Sequence, residues 1–182
     1  PLGDQIATGG SDGTVKLFRA SEFEAYDVPD EHPLLNQFSV WAFSGNDIVT
    51  TRASDGACVE ADLTQGHVTA IANMTPGPAG QIALSADGTT LAVMHRDHTI
   101  EFWDQAAQTI RATIRTKLDG IRCHAFGGPE NELAIASDGR GTPIEVWNSA
   151  DPRLARALDP GERETFCLAL SPTEHLLASG HG

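Results

Sequence analysis

The chain has 182 residues, of which 40% are hydrophobic and 20% are charged, and its formal net charge is −13. A chain of this composition is not expected to be disordered. No apolar run reaches the roughly 20 residues that span a bilayer. The negative charge disfavours direct binding to nucleic acid or to an anionic membrane. Three widely spaced cysteines without a Cys-x-x-Cys pair indicate neither a disulfide framework nor a zinc site, and they favour an intracellular compartment, cytoplasmic or nuclear.

The first predicted elements belong to a stretch that recurs along the chain. IATGGSDGTVKLF (6–18) is echoed by IVTTRASDGACVEAD (48–62), LAVMHRDHTIEFWD (91–104) and LAIASDGRGTPIEVWN (133–148), and it starts again as LASGHG (177–182). The first residues of these runs follow one another at intervals of 42, 43, 42 and 44 positions. This constant spacing predicts a tandem repeat rather than one isolated glycine-rich loop. The glycines between residues 9 and 13 are then turn residues, because no helix follows them to hold a phosphate.

Each period predicts β-strands throughout. Apolar runs alternate with Gly, Asp, Asn, Ser and Pro clusters, and no stripe with the 3.6-residue spacing of a helix is present. One turn recurs in the same place in three periods, as SADGTT (85–90), GGPENE (127–132) and SPTEH (171–175). HVTAI (67–71) and TIRATI (109–114) predict a weaker fourth strand. A four-stranded repeat of about 43 residues is typical of one propeller blade, because a small sheet needs neighbours on both faces to bury its apolar side chains.

The runs ALSADGTTLAVMHRDHTIEFWD (83–104) and LALSPTEHLLASG (168–180) resemble the WD-repeat β-propeller family, as does the stretch at 6–18. Trp103-Asp104 matches the pair that names the family, and Trp147-Asn148 is a near variant, so both tryptophans are expected to pack between blades, as is Trp41. The family's Gly-His pair is absent from every repeat, so its Asp–His–Ser/Thr–Trp hydrogen-bond network is expected to be incomplete. The slots of the Gly-His pair hold Leu34, Thr75, Lys117 and Gly161.

The resemblance implies an all-β fold, a partial β-propeller of four-stranded antiparallel blades, with about four repeat periods of a ring expected to have seven blades. Residues 1–182 are interpreted as one partial WD-repeat propeller with the following parts: 1–33, a blade lacking its inner strand; 34–74, 75–117 and 118–160, whole blades; and 161–182, the two-strand start of the next blade. Because the chain opens in a strand-like run without an initiator methionine, we expect a fragment of a longer propeller. A four-bladed ring, closed by pairing the last two strands with residues 14–28, is an alternative that would leave the first strand without a partner.

Histidine and cysteine are the residue types that could carry catalysis or bind a metal. His95 and His98 lie three positions apart around a turn, and an exposed turn is favoured over a metal site. His124 occupies a slot that is apolar in the sister repeats, so it is expected to pack between blades with its ring nitrogens hydrogen-bonded. Cys123 and Cys167 share one slot of consecutive inner strands, which favours packing, with redox sensing as the alternative. No catalytic residue, metal or cofactor is predicted, because no nucleophile–histidine–acid arrangement is present.

The resemblance also implies that one propeller face binds peptides or protein domains. The second-to-third turns are expected to place four residues on that face: Arg52, Arg96, Asp97 and Arg140. The fourth-to-first loops add Arg115, Lys117 and Asp119. The acidic loop SEFEAYDVPDEHP (21–33) contributes Glu22, Glu24, Asp27, Asp30 and Glu31. Arginines one blade apart could hold a partner's carboxylate, and the acidic loop could attract basic peptides or tails.

The sequence therefore predicts a non-enzymatic protein–protein interaction scaffold that binds peptides or domains on a propeller face within a larger complex. Other proteins are the expected partners, and no small-molecule substrate, nucleic acid or membrane is predicted. Two alternatives keep the fold. One is a chromatin or replication-fork adaptor, since the spacing of the two middle blades is similar to the amino-terminal propeller of such adaptors. The other is an enzyme with its site in the propeller channel, which the Ala, Cys, Val and Gln residues of the inner strands disfavour.

Overall fold

The computed structural model describes the backbone of residues 5–9, 15–19, 25–27, 38–44, 47–52, 58–62, 67–70 and 79–80, and both backbone and side chains of residues 81–85 and 87–182. The chain divides into two compact units, Pro1–Met74 and Thr75–Gly182, each built from antiparallel sheets. Among the described residues, no helix is long and apolar enough to cross a membrane.

The first unit contains two sheets. Its strands are β1 (Gln5–Gly9), β2 (Val15–Arg19), β3 (Ala25–Asp27), β4 (Phe38–Ser44), β5 (Asp47–Arg52), β6 (Cys58–Asp62) and β7 (His67–Ala70). Strands β1 to β3 form one sheet and β4 to β7 the other, each in chain order. β1 pairs with β2, so the first strand is paired. The four-bladed ring would have left this strand without a partner. The interpretation of residues 21–33 as one loop is wrong at its centre, because Ala25–Asp27 pair with β2 as a strand.

The second unit contains three sheets. Its strands are β8 (Ala79–Leu84), β9 (Thr90–His95), β10 (Thr99–Asp104), β11 (Thr109–Arg115), β12 (Cys123–Gly127), β13 (Glu132–Ala136), β14 (Ile144–Asn148), β15 (Arg153–Leu158), β16 (Thr165–Leu170) and β17 (Leu177–His181). Strands β8 to β11 and β12 to β15 form four-stranded antiparallel sheets, and β16 pairs with β17. The predicted all-β fold of four-stranded antiparallel sheets is confirmed.

Burial falls from the second to the fourth strand of each complete sheet in this unit. Consecutive residues are buried in β9, from Thr90 to Met94, and in β13, from Glu132 to Ala136. Because successive side chains of a strand point to opposite faces, these strands are covered on both faces. Every residue of β15 is exposed. This arrangement explains why the second strands read as continuous apolar runs rather than as alternating ones.

Two apolar clusters join the three sheets of the second unit. The larger one lies between the β8–β11 and β12–β15 sheets and includes Met94, Ile100, Phe102, Leu133, Ile135 and Trp147. The smaller one joins the β12–β15 sheet to β16 and β17 and includes Ala134, Ala136, Ile144 and Val146. Trp103 is also buried, whereas the side chain of Trp41 lies outside the described residues. Burial of a large apolar side chain contributes about 1.5–3 kcal/mol, so the sheets depend on each other for stability.

The two cysteines that share a slot differ in burial. Cys123 packs at the edge of the smaller cluster, and burial raises the pKa of its thiol, which confirms the packing prediction for this residue. Cys167 in β16 is exposed, so the packing prediction is wrong there.

A hydrogen-bond chain connects β8, β12 and the segment before β12. His124 Nδ1 donates to Gln81 Oε1 at 2.7 Å, and Gln81 Nε2 donates to the carbonyl oxygen of Ile121 at 2.8 Å. The predicted position of His124 between two blades, with a hydrogen-bonded ring nitrogen, is confirmed. Burial lowers the pKa of His124, and a backbone hydrogen bond at Ile82 opposes this shift in part.

A buried glutamate takes the place of the network that the missing Gly-His pair would have formed. Trp147 Nε1 donates to Glu145 Oε2 at 3.0 Å, and Thr116 Oγ1 donates to the same oxygen at 2.6 Å. Glu145 is 5% exposed, and the bond from Thr116 ties the end of one sheet to the next. The neighbouring sheet repeats the pair, because Trp103 Nε1 donates to Glu101 Oε2 at 3.0 Å. In sequence, the pattern is Glu-x-Trp, which places both side chains on one face of a strand.

Replacement of Glu145 by alanine should lower the free energy of unfolding by about 2–4 kcal/mol, because Thr116 and Trp147 would lose their common acceptor inside the protein. E145Q keeps one acceptor oxygen and should lose less. Urea denaturation of the wild type and both variants measures the difference. The matched control is E162A, at an exposed position, which should change the value by less than about 0.5 kcal/mol. Equal stability of E145A and E162A would contradict the role of this network.

The pH dependence of stability should report on His124. Its pKa is lowered in the folded protein, so the folded state binds fewer protons than the unfolded state below the ordinary value of 6.5. The stability that neutral His124 contributes is therefore present above pH 6.5 and is lost as the pH falls towards the folded pKa, by at most about 1.4 kcal/mol per pH unit. We expect Tm to fall less between pH 7.5 and pH 5.5 in H124Q than in the wild type. Parallel falls in Tm for the two proteins would refute this assignment.

Candidate functional site

A pocket of about 300 Å³ opens between the β9–β10 turn and the connection from β11 to β12. Its apolar lining residues are Met94, Leu118 and Ile121. Its polar lining residues are Gln81, His95, His98 and Thr116, and Arg96, Asp119 and Gly120 complete the lining. Met94 and Leu118 are buried, whereas Arg96 and Asp119 are exposed. The pocket thus combines an apolar interior with charged groups at the surface.

The β9–β10 turn forms one wall, and Asp97 fixes its shape. Its carboxylate accepts hydrogen bonds from Thr99 Oγ1 at 2.6 Å and from the Thr99 N–H at 3.1 Å. These two bonds lower the pKa of Asp97, so the carboxylate stays ionised near neutral pH. His98 completes the turn in the left-handed region, with φ of 72°. Asp97 is therefore a turn-capping residue, as well as an exposed charge beside the pocket.

The second wall, residues 116–121, is bound to the first through His98. Its Nδ1 donates to the carbonyl oxygen of Leu118 at 2.7 Å, and its own carbonyl accepts the N–H of Thr116 at 3.0 Å. The Leu118 N–H donates to Thr116 Oγ1 at 3.0 Å, which places the apolar side chain of Leu118 inward. Hydrogen bonds that involve the backbone therefore hold both walls in place.

The prediction that His95 and His98 belong to an exposed turn is wrong for their side chains. Both are half-buried, and only Arg96 and Asp97 between them are exposed. His95 Nε2 lies 3.4 Å from Glu101 Oε2, the oxygen that also accepts from Trp103. Arg96 and Asp97 thus form the exposed tip of the turn, between two half-buried histidines. In residues 81–85 and 87–182, no three His, Cys, Asp or Glu side chains form a group that could hold a metal ion.

The basic residues near this pocket fall into two groups. Arg111 pairs with Asp104 at 3.0 Å. Arg122 pairs with Asp138 at 3.0 Å and stacks on the Phe166 ring at 4.2 Å from its centroid. The second group is exposed and makes no ion pair within the described part of the chain: Arg96, Arg115 and Lys117. Three exposed cations without an ion pair in the described residues thus lie at or next to the pocket, and Arg156 and Arg163 are two further ones that do not line it.

Arg115 and Lys117 lie next to the lining residues. Arg115 is the cross-strand partner of Thr99, directly after the β9–β10 turn, and Lys117 lies between the lining residues Thr116 and Leu118. The structure thus brings five of the residues predicted from sequence to one place: Arg96, Asp97, Arg115, Lys117 and Asp119. Sequence reasoning missed the apolar floor, for which an apolar Leu118 inside a charged loop was the available signal.

The other predicted partner-binding residues lie elsewhere or outside the described residues. Arg140 is exposed in the β13–β14 turn, where its Nε lies 3.5 Å from Glu164 Oε1. Arg52 ends β5 and Asp27 ends β3, and the side chains of both are outside the described residues. Glu22, Glu24, Asp30 and Glu31 also lie outside the described residues.

Comparisons with known proteins support the fold. No protein-family model and no curated protein matches the chain. The β-propeller domain of Myceliophteria thermophila Cps50 (Swd1) is similar, with a TM-score of 0.70 and 15% identity over 98% of this chain and 62% of that chain. A chain from a mitotic checkpoint complex has a TM-score of 0.68 and 20% identity over 99% of this chain and 55% of that chain.

The chain therefore spans less than two thirds of the length of both similar structures, at 62% and 55%. Similarity to a β-propeller domain over 98% of this chain agrees with the antiparallel four-stranded sheets described above. The fold is the predicted one, a partial β-propeller of four-stranded antiparallel sheets.

Proposed function

We propose that this chain is part of a non-enzymatic scaffold that binds segments of partner proteins at the pocket between residues 95–99 and 115–121. The observation that carries the proposal is the combination found there. A cavity of about 300 Å³ with both apolar and polar lining residues contains the exposed Arg96, and the exposed Arg115 and Lys117 lie next to it in the chain; none of the three makes an ion pair among the described residues. Such concave sites with a few polar groups are typical of ligand recognition.

Three polar side chains in the walls have structural tasks, which favours recognition over chemistry. His98 donates to Leu118, Gln81 donates to Ile121, and Thr116 donates to Glu145. A general base has to be within hydrogen-bond reach of a reacting group. These three side chains instead donate to backbone carbonyl oxygens or to the Glu145 carboxylate. What the site offers to a partner is apolar surface and charge.

A role within an assembly agrees with the comparisons. One of the similar structures is part of a mitotic checkpoint complex, and propeller loops vary without disturbing the stacked sheets that carry them. We place the protein inside the cell, in the cytoplasm or nucleus. The acidic residues of 21–33 form a second proposed contact, with basic peptides or tails of partners.

Reversal of two pocket charges, R96E/K117E, should reduce capture of partner proteins at least about fivefold, because like charges would then repel the segment that the wild type attracts. Affinity-tagged full chain is incubated with cell extract, and captured proteins are quantified by mass spectrometry. The matched control is R156E/R163E, which makes the same change in net charge at exposed positions away from the pocket. Equal losses in both variants, or none in R96E/K117E, would contradict binding at this pocket.

A further inference from the structure

The volume of the pocket limits what can enter it. At about 300 Å³, it lies at the lower end of the range of sites for small molecules, about 300–1,000 Å³. A pocket of this size accommodates one long side chain or two short ones. It opens between two loops, so a chain segment can pass over it while a single side chain enters.

The floor selects an aliphatic side chain. Met94 and Leu118 line the pocket but are only 1% and 4% exposed, so Ile121 is the apolar lining residue that is appreciably accessible. A charged side chain placed against Ile121 would lose its hydration without a partner, whereas an aliphatic one gains from burial.

The surroundings of the pocket select negative charge. Arg96 lines the pocket on the β9–β10 turn, Lys117 lies in the other wall between the lining residues Thr116 and Leu118, and Arg115 is paired with Thr99. Two exposed carboxylates lie among these three cations, Asp97 on the β9–β10 turn and Asp119 in the lining, and neither makes an ion pair in the described residues, so one positive charge is in excess. Arginine can hold a carboxylate through two parallel hydrogen bonds, and lysine adds a point charge.

We propose that the pocket binds an aliphatic side chain, Leu, Ile or Met, of a partner segment in which the neighbouring residues are acidic. This inference rests on the proposed function and specifies the partner. Arg96 and Lys117 pair with the acidic residues, and the apolar floor receives the aliphatic one. Because His98 and Gln81 already fix both walls, little conformational entropy is lost on binding.

Selection from a random peptide library tests the partner class. Phage that display random 12-residue peptides are selected on the immobilised full chain, in parallel on R96E/K117E and on R156E/R163E. We expect peptides with Leu, Ile or Met within two positions of Asp or Glu, enriched by the wild type and by R156E/R163E but not by R96E/K117E. Circular dichroism of all three proteins confirms that a loss of enrichment is not a loss of fold.

Synthetic peptides then measure each part of the recognition. A fluorescein-labelled copy of the most enriched peptide is titrated by fluorescence anisotropy. Replacement of its aliphatic residue by Asn should weaken binding at least about tenfold. Replacement of its acidic residues by Asn or Gln should weaken binding about five- to tenfold with the wild type and less than about twofold with R96E/K117E, since the partner charges are then absent.

The outcomes separate the two proposals. Peptides that depend on Arg96 and Lys117 but are basic, or carry no aliphatic residue, would overturn the assignment of the partner class while leaving binding at the pocket in place. Enrichment that is the same on all three proteins, or no enrichment at all, would overturn both peptide binding at the pocket and the inference that rests on it.

Discussion

A small β-sheet has two faces and cannot cover both by itself, and the rest of the structure depends on this constraint. In residues 81–182, the second strands β9 and β13 carry buried side chains on both faces, so each needs a neighbouring sheet. The cluster around Phe102 and Leu133 lies where two such sheets meet. Stability comes from these contacts between sheets, so the loops at the strand ends do not have to contribute to the buried core. Their residues can therefore vary and contact partners without loss of the fold.

The pocket is a consequence of the same stacking. The β9–β10 turn and the connection from β11 to β12 form its two walls. The lining residue Gln81 connects the pocket to β12, because its side chain accepts a hydrogen bond from His124. Thr116 also donates to Glu145 in β14, so the wall and the second sheet share one buried carboxylate. In the family that the sequence resembles, the hydrogen-bond network of the Gly-His pair is expected at this place. Here a glutamate two positions before the tryptophan takes the place of that network, and the connection between sheets is retained with other residues.

Much of the fold follows from the repeat spacing, since a period near 43 residues with short apolar runs leaves few alternatives to stacked four-stranded sheets. The position of His124 was predictable for the same reason, as its slot is apolar in the sister repeats. The pocket was not, because its floor joins Met94 to Leu118, and only the paired strands show that they meet. The burial of His95 and the exposure of Cys167 depend on which neighbour covers each side, which a one-dimensional pattern does not contain.

A chain of net charge −13 with a cationic pocket raises the question of which charge a partner encounters. At physiological ionic strength, the Debye length is about 8 Å, so acidic residues farther away than this are largely screened. A segment bound at the proposed pocket would lie within this length of Arg96, which lines it, whereas internal ion pairs hold Arg111 and Arg122. The overall negative charge therefore opposes long nucleic acids and anionic membranes, which cover a wide area, but it opposes a short acidic segment much less. Under the proposed function, the cationic region would therefore favour single peptide segments over extended polyanions.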